Sequence, residues 1–198
     1  VDAINLLNIY PESIPVWLDG WVPVNSGYFV GNLGPGRMDF RYFAFGNLLA
    51  VLFGLATDEQ SQQIMNLYEE RWDDLVGATP VIICYPATSR EKWAYTTGSD
   101  PKNLPWSYHN GGHWPCLLWA FVGAAIRTGR HSLAKRTLDM AIEKFPRDNW
   151  PEYYDGCKGT LIGRRANLKQ TWSASALIVA YRLLEDPDSL PIFESINF

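Results

Sequence analysis

The 198-residue sequence has no run of ~20 apolar residues, so no segment suits a membrane-spanning helix. It has no basic tract longer than Arg164-Arg165, its net charge is −4 and its pI is about 5.4. That balance argues against nucleic acid as a partner, because phosphate binding needs a basic face. Its three cysteines, Cys84, Cys116 and Cys157, lie far apart. They form neither a disulfide framework nor a zinc pattern, and point to a reducing compartment. The first residues, Val1-Asp2-Ala3, carry no Met, no charged leader and no apolar signal core. The expectation is a piece of a longer, intracellular protein, cytoplasmic unless an upstream targeting segment directs it to an organelle.

Aromatic side chains, in contrast, are abundant. They make up 14% of the chain, with nine Trp, beyond what one small core needs. Flat rings with polar edges line binding clefts, and the apolar C–H faces of sugars suit such walls. A small-molecule sugar is therefore the expected ligand; homo-oligomerisation is left open.

Hydrophobic periodicity predicts an all-α fold. Residues 41–56 are apolar nearly all round and read as a buried helix. Thr57 with Gln60 three positions on reads as the N-terminus of the next helix. Ile64, Leu67, Tyr68, Trp72 and Leu75 mark its single apolar face. Residues 114–129 form a second buried-type helix, with Pro115 at its start and Gly129 as its stop. Leu133, Leu138, Ile142 and Phe145 mark a second surface helix, and residues 171–185 a third buried one. Long aromatic and Gly-rich loops enter each buried helix. Alternation of this kind describes a toroid of helical hairpins, an (α/α)6 barrel, with the cleft at the N-termini of the inner helices. Five helices do not close such a ring, so residues 1–198 are expected to be the C-terminal part of one catalytic domain, inactive and aggregation-prone alone.

Three loop motifs carry the candidate chemistry. In "GPGRMDFRYFAFGN" (34–47), Asp39 reads as a salt-bridge partner of Arg37 or Arg41, or as a helix cap. In "PWSYHNGGHWP" (105–115), His109 and His113 have metal-ligand spacing, but Gly111-Gly112 and Pro115 break the helix that spacing needs, and a third ligand is missing. Both either bond loop backbone or touch substrate. In "NWPEYYDG" (149–156), Glu152 lies among Trp150, Pro151, Tyr153 and Tyr154. An acid so placed is expected to be partly desolvated, which raises its pKa and suits it to proton transfer near neutrality. Asp155, followed by Gly156, reads as a turn residue.

The sequence resembles the alkaline/neutral invertases. The matching stretches are "MDFRYFAFGN" (38–47), "DDLVG" (73–77), "ICYPA" (83–87), "DPKNLPWSYHNGGHWP" (100–115), "WPEYYDG" (150–156) and "QTWS" (170–173). The stretch "CKGTLIGRRANLK" (157–169) departs most from the pattern. The resemblance implies an (α/α)6 ring that cleaves sucrose with inversion, using one Asp and one Glu and no metal or cofactor. It maps the Glu onto Glu152 as the base. The Asp has no counterpart here, and Asp39 does not replace it. Trp150, Tyr153 and Trp172 are then candidates for a stacking wall, and His109, Asn110, Lys169 and Gln170 for hydroxyl binding. Two rival readings remain open: a sugar epimerase using His109 and His113, and a non-catalytic helical binding module.

Overall fold

The computed structural model describes residues 14–32 and 38–193. Arg37 lies outside the described residues. Among the described residues seven α-helices follow in chain order, besides short 3-10 turns: α1 (Ala44–Leu52), α2 (Asp58–Glu70), α3 (Trp72–Leu75), α4 (Arg90–Thr97), α5 (Leu118–Arg127), α6 (His131–Arg147) and α7 (Thr171–Glu185). Strands are two residues long and occur as antiparallel pairs: β1 (Gly31–Asn32) with β2 (Met38–Asp39), β3 (Tyr42–Phe43) with β4 (Cys84–Tyr85), and β5 (Tyr154–Asp155) with β6 (Leu161–Ile162). The fold is all-α, as the periodicity predicts, and the strand pairs only staple loops.

The centre of the packing is α5. Its sequence, LWAFVGAAIR, is rich in small residues, so neighbouring backbones approach closely, and α1, α6 and α7 all pack on it. Gly123 marks the tightest contact: a Cβ there would meet Leu52 of α1 at 2.8 Å and Leu183 of α7 at 3.5 Å. The outer helices α2 and α6 bury one face each. The capping box at the start of α2 is complete, with Gln60 N–H donating to Thr57 Oγ1 at 3.2 Å and Thr57 N–H to Gln60 Oε1 at 3.0 Å. Arg130, just before α6, joins the two outer helices by donating to Glu69 at 3.0 Å and Gln62 at 2.6 Å.

Three expectations need correction. Ile142 is exposed; Ala134, Thr137 and Ala141 complete the buried face of α6 instead. The first buried helix starts at Ala44, with Phe43 as its N-cap, so of the two readings of Asp39 the cap fails and the salt bridge with Arg41 holds. And α7 is apolar all round but buried on one face only. Ser173, Ala176, Ala180 and Leu183 face α5 and α6, while Trp172, Ile178, Val179 and Tyr181 are exposed.

The loops entering α1, α5 and α7 are stitched together at one end. Ala44 N–H donates to Ile83 O, Ile83 N–H to Gly112 O, and Trp114 N–H to Val81 O. His113 and Tyr154 exchange both backbone bonds, at 2.9 and 2.8 Å. The helix starts therefore converge, and the three motifs converge with them.

Candidate active site

Glu152 sits where two loop segments zip together. The chain leaves α6 through Asn149 and Trp150, both in the left-handed region at φ 63° and 56°. Their carbonyls accept from Lys169 N–H at 2.8 Å and Gln170 N–H at 2.9 Å. Next, Glu152 N–H donates to Asn167 O at 2.8 Å. The side chains complete the zip: Asn167 N–H and Nδ2–H both donate to Glu152 Oε2, each at 3.1 Å. Glu152 is 5% exposed, and among the described residues hydrogen bonds reach only one of its two oxygens. A buried carboxylate held by one oxygen is oriented while its second oxygen keeps its lone pairs for another partner.

Below Glu152 the β5–β6 hairpin fixes the backbone. Gly163 N–H donates to Tyr153 O at 2.9 Å, Tyr153 Oη–H to Arg164 O at 2.5 Å, and Arg164 N–H to Asp155 Oδ2 at 2.8 Å. Asp155 thus braces the hairpin. Burial, and after it the charge of Asp155, pushes the Tyr153 hydroxyl up to about 12, so it stays a neutral donor.

An aromatic row adjoins the acid. His109 stacks on Trp114 with centroids 4.9 Å apart and planes 7° apart. Trp114 stacks in turn on Tyr153 at 5.6 Å and meets Trp172 at 6.0 Å. Tyr108 packs against His109 at 4.0 Å, and Lys102 Nζ lies 3.9 Å from the Tyr108 ring centre. Partial burial, then the charge of Lys102, pulls the His109 imidazole below its ordinary value, against the opposing pull of Asp100 and Glu152. His109 is therefore neutral at pH 7 and offers one donor and one acceptor. Trp106 and Tyr108 in the same loop have φ 63° and 49°. Bulky residues in that region carry strain, and Trp150, two positions before Glu152, is another of them.

The candidate residues fall into two layers. Trp172, His109 and Lys169 are exposed. Gln170 is half-buried and its side chain accepts from Thr171 N–H at 3.2 Å, capping α7. Tyr153 and Asn110 are fully buried, so neither offers a face to a ligand. Tyr153 supports Trp114 instead of forming the wall. Asn110 is a loop clip: its Oδ1 accepts from Thr88 N–H at 2.9 Å and its Nδ2 donates to Thr88 O at 2.9 Å. Trp150 leans on Phe145 at 6.5 Å. Trp114 and Tyr108, both from the second loop motif, join the site, and with them Asn167 and Lys102, for which no role is read from the sequence. Asn167 lies within "NLKQTW", but no local pattern ties it to an acid fifteen positions earlier.

His113 does not share the exposure of His109. It is fully buried, with Nδ1 2.6 Å from Thr79 O and Nε2 3.4 Å from Cys157 O. That leaves the epimerase reading without its second base. Among the described residues no three His, Cys, Asp or Glu side chains gather as a metal site would require. Burial outweighs these carbonyl contacts and pulls His113 from 6.5 down to about 4. The unfolded chain thus takes up a proton on this ring first as pH falls. Stability from His113 is whole above pH 6.5 and is lost on the way to pH 4, by about 3 kcal/mol. Urea unfolding at pH 7 and pH 4.5 should show this loss, and His113→Gln should flatten it. An equal slope in the variant would exclude His113 as the cause.

A sequence model for the family described as alkaline and neutral invertase matches residues 1–187. This chain belongs to that family. It is 53% identical over 188 residues to "Probable alkaline/neutral invertase D" of Arabidopsis thaliana, covering 95% of this chain and 35% of that protein. Against "Cytosolic invertase 1" of Oryza sativa subsp. japonica the figures are 52%, 95% and 34%. Against "Neutral/alkaline invertase 1, mitochondrial" of the same organism they are 50%, 94% and 30%. The chain therefore spans about a third of the length of the curated relatives it matches. Family membership gives the resemblance read from the motifs its footing, and among the described residues no helix is long and apolar enough to cross a membrane.

Proposed function

We propose that this chain supplies the general base and part of the sugar cleft of an inverting sucrose hydrolase. The observation that carries the reading is Glu152, buried among rings, with Oε2 held by Asn167 and no described group bonded to Oε1. Family membership supports the substrate class. The helices described here would form the C-terminal part of an (α/α)6 ring, which the shared loop end of α1, α5 and α7 favours. Relatives named for the cytosol and for mitochondria stand at similar identity, which fits an intracellular enzyme in either place.

In this mechanism a water beside Glu152 attacks the glucosyl anomeric carbon from the face opposite the fructose. Glu152 takes the proton of that water. The bond to the bridging oxygen breaks, and a carboxylic acid elsewhere in the enzyme protonates that oxygen as fructose leaves. The two carboxyls then stand roughly 6.5–9.5 Å apart to leave room for the water. Trp172 and His109 offer a ring face and hydroxyl contacts from the exposed layer, while Tyr153 and Asn110 hold that layer from beneath. The deciding experiment is the stereochemistry of sucrose cleavage by the whole protein: β-glucose as the first product supports the reading, and α-glucose or no cleavage removes it.

A further inference from the structure

A pocket of about 420 Å³ lies between residues 15–17, 38–41 and 86–96 and does not include Glu152. Trp17, Asp39, Arg41, Ser89, Lys92 and Trp93 are among its lining residues. A donor and acceptor account of these groups is lopsided. Both oxygens of Asp39 are already taken by Arg41: Oδ1 accepts from the Arg41 N–H at 3.1 Å and from Nε at 3.0 Å, and Oδ2 accepts from Nε and Nη2. The carboxylate has little left to offer a ligand. Donors, in contrast, remain. Arg41 Nη1 is buried and has no acceptor. Lys92 forms no ion pair among the described residues, although its charge, together with Arg41, helps hold Asp39 below its ordinary value against burial. Ser89 Oγ accepts from Lys92 N–H at 3.3 Å, and its hydroxyl also bonds the Glu91 carboxylate, so the open donors are those of Arg41 and Lys92.

Two cations therefore face one spent carboxylate, and the unfilled positions are donors. A buried guanidinium nitrogen without an acceptor is costly to leave so, and a phosphoryl or carboxylate oxygen is the acceptor that matches it. A neutral sugar alone would leave the two cations without a countercharge. The walls add shape. The Arg41 guanidinium lies 5.4 Å from the Trp93 ring centre and 5.1 Å from that of Phe43, and Trp17 lines the same space. The volume exceeds that of a lone tetrahedral anion and falls in the range of small-molecule sites, about 300–1,000 Å³.

We infer that this pocket binds a small phosphorylated sugar, with its phosphoryl group on Arg41 Nη1 and Lys92 and its ring against Trp93. Glu152 is not among its lining residues, and the assignment does not depend on the hydrolase reading. Thr88, which also lines the pocket, is clipped to Asn110, the residue after His109, so an occupant would bear on the loop that presents His109.

Calorimetric titration of the whole protein tests it, with glucose 6-phosphate, inorganic phosphate and glucose as parallel probes. Glucose 6-phosphate should bind saturably. Lys92→Met should weaken it about tenfold or more at an unchanged Tm, since Lys92 is exposed and unpaired. Arg41→Lys should weaken it further, and Glu152→Gln should leave it unaltered, which separates this site from the catalytic one. Inorganic phosphate binding more weakly, with the same Lys92 dependence, would support the phosphoryl half of the assignment. Phosphate as tight as the sugar phosphate would overturn the sugar half, and glucose as tight would overturn the anion half. No saturable binding, or binding indifferent to Lys92, would overturn the whole proposal.

Discussion

Replacing Glu152 by Gln in the whole protein is expected to lower kcat for sucrose by about 10²- to 10⁴-fold, the range that a positioned general base contributes. KM should change far less. The substitution keeps the size of the side chain and an oxygen that can accept from both N–H donors of Asn167, so the zip between 149–153 and 167–170 stays closed. What it removes is the ability to take a proton. Initial rates, read beside a thermal melt, separate chemistry from folding: the account requires a large rate loss at a nearly unchanged Tm. Activity within tenfold of the parent would end the assignment of Glu152 as base and revive the reading of this loop as a binding surface.

The second large effect comes from a glycine. A Cβ on Gly163 would meet the Tyr153 ring at 2.4 Å, and that ring is fully buried between Trp114 and the hairpin, so it cannot swing away. Gly163→Ala should therefore cost about 3 kcal/mol, the upper part of the usual range for overpacking. It should also act on function. The segment pushed off Tyr153 leads directly to Asn167, which holds Glu152. Chemical denaturation should show a shifted midpoint, and the fraction that remains folded should cleave sucrose more slowly than the parent. Unchanged stability would mean that the 161–167 segment does not lie against Tyr153 as described.

Much of this arrangement is legible in the sequence because local rules govern it. The capping box at Thr57 and Gln60, the small-residue helix 118–127 and the single apolar face of α2 each follow from spacing alone. The aromatic setting of Glu152 is likewise visible, since its neighbours in space include its neighbours in sequence. Other features depend on which way a loop side chain turns, and no periodicity reports that. Tyr153 and Trp172 look equivalent as candidates for a wall, yet the hairpin buries the first and the helix start exposes the second. Asn110 and His109 are adjacent, but a left-handed Tyr108 turns one amide inward to Thr88 and leaves the imidazole outside. Asn167 reaches Glu152 across fifteen positions, and α4 lies inside a segment that reads only as a long loop, with no buried residue to mark it. The exposed apolar side of α7 is the reverse case, where the composition reads as buried all round but only one face is covered by the described residues.

The proposed mechanism turns on a water, activated by Glu152, arriving from the face opposite the leaving fructose. Proton NMR of the anomeric region during the first minutes of sucrose cleavage by the whole protein reads that event directly. β-Glucose should come first, followed by slow conversion to the equilibrium mixture of anomers. α-Glucose as the first product would place the attack on the other face or on the fructosyl side, and would contradict it.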